Sequence, residues 1–329
     1  MESHLKWYNK TLHQYLSNEE IKTLMQKSNW KATYEILHTW GWIAFAFALS
    51  GFYPNPVTMV ISLFILGGKQ LACAIIMHDT SHDGLFTSRK VNHVIGNWFG
   101  AYPIFHDVDK YRPYHVLHHM YTGLEEDPDA PLVSGYPATA RSMVRKFLRD
   151  FFGPTGIKGN IAVILMQIGV LKYALNGKAE WVSLKDKTAG QILSGAVRNL
   201  AGPAASNALL FGVLYLCQAP WLYLLWIGAL LTTNNFSLRV RSMAEHSMVE
   251  DQHNPHKNTR TTYANFIERM LFAPHHVNYH AEHHLCMGVP PYNLPAMHQL
   301  LLQRGYFQEG AMEKNYLNTV KRAILREAA

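Results

Sequence analysis

Charge is missing from two long stretches of this chain, Ile36 to Gly68 and Asn199 to Leu238. Each is long enough for two helices of about 20 residues that cross a hydrocarbon layer of roughly 30 Å and return. Proline and glycine divide each stretch, at Gly51-Phe-Tyr-Pro-Asn-Pro56 and at Gln218-Ala-Pro220, where one helix should stop and the next start. Four spans are expected, about 36–53, 57–77, 199–217 and 220–236, with Trp40, Trp42, Tyr53, Trp221 and Trp226 near their ends, although Trp226 lies rather deep. Charged residues make up only 16% of the 329 residues, low for a soluble enzyme. The mean hydropathy of −0.09 excludes a chain that is mostly membrane. The design is mixed, a few spans and a substantial water-facing part.

Other absences narrow the function. Three cysteines, Cys73, Cys217 and Cys286, stand far apart, which excludes a disulfide framework and an iron–sulfur ligand set. There is no dinucleotide fingerprint and no recognisable haem-binding pattern. Met1 to Lys31 has no apolar core, so it reads as a cytosolic arm and not a secretory leader. The net charge of +7 raises the question of nucleic acid, but its distribution points to a membrane surface. Lysine and arginine are absent from both hairpin turns and cluster outside them, which puts both termini and the connecting regions in the cytosol. Gly159 to Leu171, between Lys158 and Lys172, is too short to span and is expected as an interfacial or buried helix. A fifth span there would also separate the histidine clusters described next.

Histidine is what the chain has in excess, 19 in 329. Three clusters stand out: His78-Asp-Thr-Ser-His82, His115-Val-Leu-His118-His119 and His280-Ala-Glu-His283-His284. At this abundance an H-x-x-H-H string arises by accident roughly 0.06 times in such a chain, and here it occurs twice. Residues at i, i+3 and i+4 share a helix face, so each cluster is expected to offer two or three nitrogens to one point. Eight nitrogens exceed the needs of one ion and suggest a two-metal centre. Four ligands would close a structural zinc site, and imidazole suits zinc, copper, iron and nickel alike. Oxygen activation and metal-assisted hydrolysis are both open to such a site. A location above lipid favours the first, because an unactivated C–H bond offers no hydrolytic handle.

The boxes, their order and their relation to two hairpins resemble the membrane-bound fatty acid desaturase and hydroxylase superfamily. So do Asp127-Pro-Asp129, Asn258-Thr-Arg-Thr-Thr262, Pro274-His-His-Val-Asn-Tyr-His-Ala-Glu-His-His-Leu285 and Leu294-Pro-Ala-Met-His298. The resemblance covers roughly residues 35 to 305. It implies a non-haem centre of two iron ions that uses O2 and two electrons to take hydrogen from an acyl chain. Carried over by motif, the ligands are His78, His82, His115, His118, His119, His280, His283 and His284. His246, in Ala244-Glu-His246 after the fourth span, is the ninth.

Ligating histidines usually donate their second N–H to a carboxylate or carbonyl. Asp79, Asp83, Asp127, Asp129, Glu245 and Glu282 are placed to accept it, and His276, four residues before His280, would share its face on a continuing helix. Lys69, a charge inside the second span, is a candidate to line a substrate cavity or simply a snorkelling lysine beside Gly67 and Gly68. Electrons must come from a separate ferredoxin or cytochrome b5 type carrier with its reductase. Arg141, Arg145, Lys146 and Arg149 would attract an acidic carrier or bind anionic lipid head groups.

The expected fold is an all-α integral membrane protein. One domain over 1–329 comprises a cytosolic arm (1–33), four transmembrane helices in two hairpins, and a helical cytosolic cap (78–198 and 237–329) holding a di-metal centre. The expected function is desaturation of a lipid acyl chain. Hydroxylation, carotenoid-type ketolation and oxidative decarboxylation to a terminal alkene are alternatives on the same scaffold. A membrane metal transporter and a zinc-dependent hydrolase are the competing classes.

Overall fold

The computed structural model describes residues 4–174, 180–185, 187–308 and 311–325. Most of the described residues are helical. In chain order the helices are α1 (His4–Tyr15), α2 (Asn18–Leu24), α3 (Asn29–Phe52), α4 (Pro56–Ser81), α5 (Arg89–Ile95), α6 (Val108–Tyr121), α7 (Ala130–Val133), α8 (Ala140–Phe151) and α9 (Pro154–Gln167). They continue with α10 (Ala189–Leu216), α11 (Leu222–Leu231), α12 (Thr233–His246), α13 (Phe266–Leu271), α14 (His280–Leu285), α15 (Leu294–Gln303) and α16 (Tyr316–Arg322). Two short strands, β1 (Arg260–Thr262) and β2 (Ala311–Glu313), pair in parallel, Arg260 opposite Ala311.

The first apolar stretch folds as a helical hairpin. Asn55 stops one helix and starts the next: its Oδ1 accepts from the backbone N–H of Val57 and Thr58, and Pro56 needs no N–H partner at the first helical position. Ser50 donates to Ser62 across the hairpin and Ser62 donates to the Ala46 carbonyl, so the polar groups on the shared face are paired. Ile43, Phe47, Ile65, Leu66 and Cys73 pack there against Leu214, Leu222, Ala229 and Leu230 of the second apolar stretch.

The second stretch differs from expectation. Its first helix, α10, begins at Ala189, ten residues before the expected start, and carries Arg198 on an exposed face. The segment expected as one span over 220–236 is two helices broken at Thr232, where φ is −126° and ψ is −89°. Side chains of the Thr-Thr-Asn-Asn run compete with the helical ladder there. Thr232 Oγ1 donates to the Gly228 carbonyl at 2.6 Å, Thr233 Oγ1 to Leu63 at 2.5 Å, and Asn235 Nδ2 to Leu230 at 2.9 Å. Among the described residues two helices, Pro56–Ser81 and Ala189–Leu216, are long and apolar enough to cross a membrane. α3 is nearly as long, but Glu35, His38, Trp40 and Trp42 dilute its apolar character. Trp226, expected towards an interface, is fully buried and donates Nε1–H to the Pro103 carbonyl. The Gly159–Leu171 segment falls mainly in α9, a helix of 14 residues, about 21 Å long, packed against α8, α10 and α11.

The N-terminal arm is not a free appendage. Tyr8 and Leu12 of α1, Leu16 just after it and Leu24 of α2 form a core with Tyr279, Leu285, Leu294, Met297, Leu301 and Tyr306 around the third histidine cluster. Bidentate pairing of Arg304 with Glu20 closes that contact at the surface.

Candidate metal centre

Four elements deliver the nine histidines. His78 lies in the last turn of α4 and His82 is its C-cap; His115, His118 and His119 lie on α6; His246 ends α12; His280, His283 and His284 lie on α14. All are buried except His82, which is partly so. Their ring nitrogens form two groups, each within 4.8 Å: His78, His82, His115, His119 and His283 in one, and His118, His246, His280 and His284 in the other. The groups adjoin, His119 and His284 having ring centroids 4.3 Å apart.

The expectation that each box serves one point holds for His78 and His82 and is corrected for the other two boxes. Residues at i and i+4 do stay together, His115 with His119 and His280 with His284, with Nε2 atoms 3.0 and 3.1 Å apart. The third members of these two boxes, His118 and His283, cross over. His118 and His119 are about 100° apart around the helix, and so are His283 and His284, so adjacent imidazoles cannot aim at one ion.

Hydrogen bonds decide which nitrogens face inward. His246 Nδ1 lies 3.2 Å from the carbonyl of Asn258, which can only accept, so the Nδ1 carries the proton. Thr122 spends its hydroxyl hydrogen on the His118 carbonyl and therefore accepts from His284 Nδ1. His118 donates Nδ1–H to Asp127 at 2.8 Å, and Asp127 also accepts from the N–H of Gly123 and Asp129. His246 and His284 thus turn unprotonated Nε2 atoms into one small space, as does His118 in its neutral form, with His246 Nε2 and His280 Nε2 only 2.7 Å apart. In the first group the buried Nε2 atoms of His78 and His82 have no protein partner. Opposed lone pairs and orphaned nitrogens are what a bound cation relieves, and the donor set fits a metal.

The electrostatics agree. Burial, then neighbouring imidazoles, hold His115, His119, His280 and His284 far below the usual imidazole range, and burial pushes His246 down to about 3. Neutral imidazoles are the ligating form. His118 is the exception: burial opposes its charge, but Asp129 and Asp127 outweigh that and raise it. Asp79 stands 2.7 Å from His78 Nδ1 and is placed to accept its N–H. Burial raises Glu245 to about 7 despite its 2.6 Å contact with Arg241, and it stands 3.6 Å from His280 Nδ1.

Three supporting assignments change. Asp83 turns away from the histidines and takes Arg112 in a bidentate pair at 3.0 Å, with Arg89 at 3.3 Å. Its left-handed backbone, φ 53°, aims it outward as the chain leaves α4. His276 is not on the helix of His280: His275 and His276 both have positive φ, and α14 starts only at His280. Its nearest carboxylate is Glu35, at 3.9 Å. Glu282 sits on the opposite side of α14 from its histidines, accepting from Thr261 and paired with His298, so it ties the helix to β1 and α15. Lys69 is buried against α3, where Glu35 and His38 are its electrostatic neighbours. Gly67 and Gly68 beside it let α4 approach Thr233 and Met270 more closely than a Cβ would allow. Thr122 and Tyr111, which stacks on His115 at 5.0 Å, had no sequence signal of their own, and Asn258 stood in a quoted stretch without a role assigned to it.

Helices that gather nine imidazoles, eight of them buried, at the end of an apolar hairpin define a histidine-rich metal centre. The fatty acid desaturase family profile matches residues 54–315, and the chain belongs to that family. It is an oxidoreductase. The chain is 28% identical over 258 residues to a dihydrorhizobitoxine desaturase of Bradyrhizobium elkanii, covering 74% of this chain and 67% of the relative. It is also 28% identical over 293 residues to an sn-1 oleoyl-lipid 12-desaturase of Synechocystis, covering 84% and 79%. A 12-desaturase of the same description from Anabaena variabilis is 26% identical over 233 residues.

Proposed function

We propose that this protein desaturates the acyl chain of a membrane lipid at a centre of two iron ions held by His78, His82, His115, His119 and His283 on one side and His118, His246, His280 and His284 on the other. The observation that carries the reading is the division of nine inward-facing imidazoles into adjoining groups of five and four. Iron held there supplies reduction of O2 and removal of hydrogen from an unactivated C–H bond. The net change is CH2–CH2 plus O2, two electrons and two protons giving CH=CH and two waters.

The chain's own groups prepare the site. Asp127, the Asn258 carbonyl and Thr122 hold protons on Nδ1 and leave Nε2 free. Tyr111 fixes the plane of His115 by stacking on it. Glu282, with Thr261 and His298, sets the roll of α14.

A membrane location supports a lipid substrate. Leu37, Phe45 and Phe52 of α3, Val57, Val60 and Ile61 of α4, Leu209, Phe211 and Leu216 of α10 and Leu224 of α11 are exposed apolar side chains on neighbouring helices. Four helices, the last of them broken at Thr232, are proposed to lie in the bilayer, with both termini and the metal centre on the cytosolic side. Electrons are proposed to come from an external ferredoxin or cytochrome b5 type carrier.

Expression with a reductase system, followed by mass spectrometry of the lipid extract, tests the reading. A product lighter by one H2, formed only with O2 and reductant, is expected. An added oxygen, or a chain one carbon shorter, would replace desaturation with hydroxylation or decarboxylation. The name of the Bradyrhizobium relative gives a substrate other than an oleoyl lipid, so products outside the lipid extract belong in the same assay.

A further inference from the structure

Helix α8 has two faces. Met143, Phe147 and Asp150 point inward, onto Val240 and Met243 of α12, and the Asp150 carboxylate pairs with Arg239 at 2.5 and 2.8 Å. The helix is therefore fixed to the cap.

Its outer face is left without a partner among the described residues. Arg141, Arg145 and Arg149 recur every four residues, about 6 Å apart along the axis, and none makes a hydrogen bond or ion pair there. Beside this row run Val144, Leu148 and Phe152, 57%, 48% and 79% exposed, which is unusual for three apolar side chains in line on one helix. The two rows, with Pro154, line a shallow groove of about 430 Å³. The only acid between Ala140 and Gln167 is the buried Asp150. Apolar exposure then continues past the turn at Gly153 onto Ile157, Ile161 and Ile164 of α9, with Lys158 exposed among them.

We propose that the outer face of α8 binds an anionic glycerophospholipid, its phosphate among Arg141, Arg145 and Arg149 and an acyl chain along Val144, Leu148 and Phe152. Guanidinium groups match phosphate oxygens in a two-pronged geometry, and long basic stems lie on apolar surface while their heads reach a charged layer. A basic patch serving an acidic protein would not need aliphatic side chains alternating with each arginine and running on into α9. The inference needs the chain to lie in a bilayer; it does not depend on which reaction the metal centre performs.

The full chain in nanodiscs of phosphatidylcholine, with and without phosphatidylglycerol, provides the test. Native mass spectrometry reads the lipid retained, and hydrogen exchange reads residues 140–158. Phosphatidylglycerol should be retained over phosphatidylcholine and should slow exchange in α8. The triple variant Arg141→Gln/Arg145→Gln/Arg149→Gln should retain roughly tenfold less phosphatidylglycerol. Replacing the same residues with lysine should keep most of it. Leu148→Ser/Phe152→Ser should weaken retention of both lipids. All substituted positions are exposed, and an unchanged unfolding temperature in detergent separates lost binding from lost fold. Equal retention of the two lipids by the wild type, or wild-type retention by the glutamine variant, overturns the proposal. Protection of α8 by an acidic electron carrier, with no effect of phosphatidylglycerol, would reassign the face to a protein and overturn it as well.

Discussion

His118 and His119 are neighbours in the chain but belong to different halves of the centre. His118 lies 4.8 Å from His246 between ring centroids, and His119 lies 4.5 Å from His115. One turn of α6 therefore serves both halves, and α14 does the same through His283 and His284.

Removing either neighbour should consequently damage a different half. His118→Ala and His119→Ala are each expected to abolish turnover and to lower bound metal by about one ion per chain. The same holds for His283→Ala. Metal analysis of the purified variants checks this, and full turnover in any of them would sink the shared-centre reading.

Asp127 and Asp83 should behave oppositely although both follow a histidine box. Asp127→Asn weakens the acceptor for His118 Nδ1–H and is expected to cost roughly 10- to 100-fold in metal affinity or activity. Asp83→Asn breaks a contact to Arg112, not to a histidine, and should leave metal affinity within about twofold. Competition with a chelator of known affinity measures both.

Stripping the metal should leave lone pairs facing one another across gaps of 2.7 to 3.1 Å. The apoprotein is expected to unfold at a lower temperature and to regain stability in proportion to ln(1 + [metal]/Kd). Zinc should restore stability without turnover, and iron should restore both. A melting temperature indifferent to metal would contradict the arrangement.

Arg239→Met leaves the Asp150 carboxylate, which is fully buried, without its partner and should cost about 3 to 5 kcal/mol. The double replacement Arg239→Met/Asp150→Leu should cost much less, since no lone charge remains inside. Denaturant unfolding in detergent gives the comparison.

Gly67→Val should push α4 away from α12, because even a Cβ there would lie 2.3 Å from Thr233 Oγ1 and 2.7 Å from the Asn234 nitrogen. The cost is expected at about 1 to 3 kcal/mol. Since α4 carries His78 and α12 carries His246, metal content should fall with stability. Gly41→Val, where nothing lies within 4 Å, serves as the control.

Much of this protein was legible in its sequence, because the signals are local or compositional. Charge-free stretches locate the apolar helices though not their ends, Asn55-Pro56 marks a helix start through its own backbone bonds, and H-x-x-H-H fixes which imidazoles share a turn. The family profile agrees with those signals. The break at Thr232 was missed because composition reports hydrophobicity, not the hydrogen bonds that Thr232, Thr233 and Asn235 make to carbonyls.

Supporting residues were the least legible. Asp83 and Asp127 look alike beside their boxes, and only the backbone turn after α4 sends one to Arg112 while the loop after α6 brings the other to His118. The Asn258 carbonyl and Thr122 act through groups that any residue or many residues possess.

The sequence by itself determined which nitrogens exist and which pairs lie one helical turn apart, since that spacing is a property of the α-helix. Tertiary structure alone decided that nine nitrogens divide five and four. The division depends on the angles at which α4, α6, α12 and α14 meet, and those angles follow from packing between residues far apart in the chain.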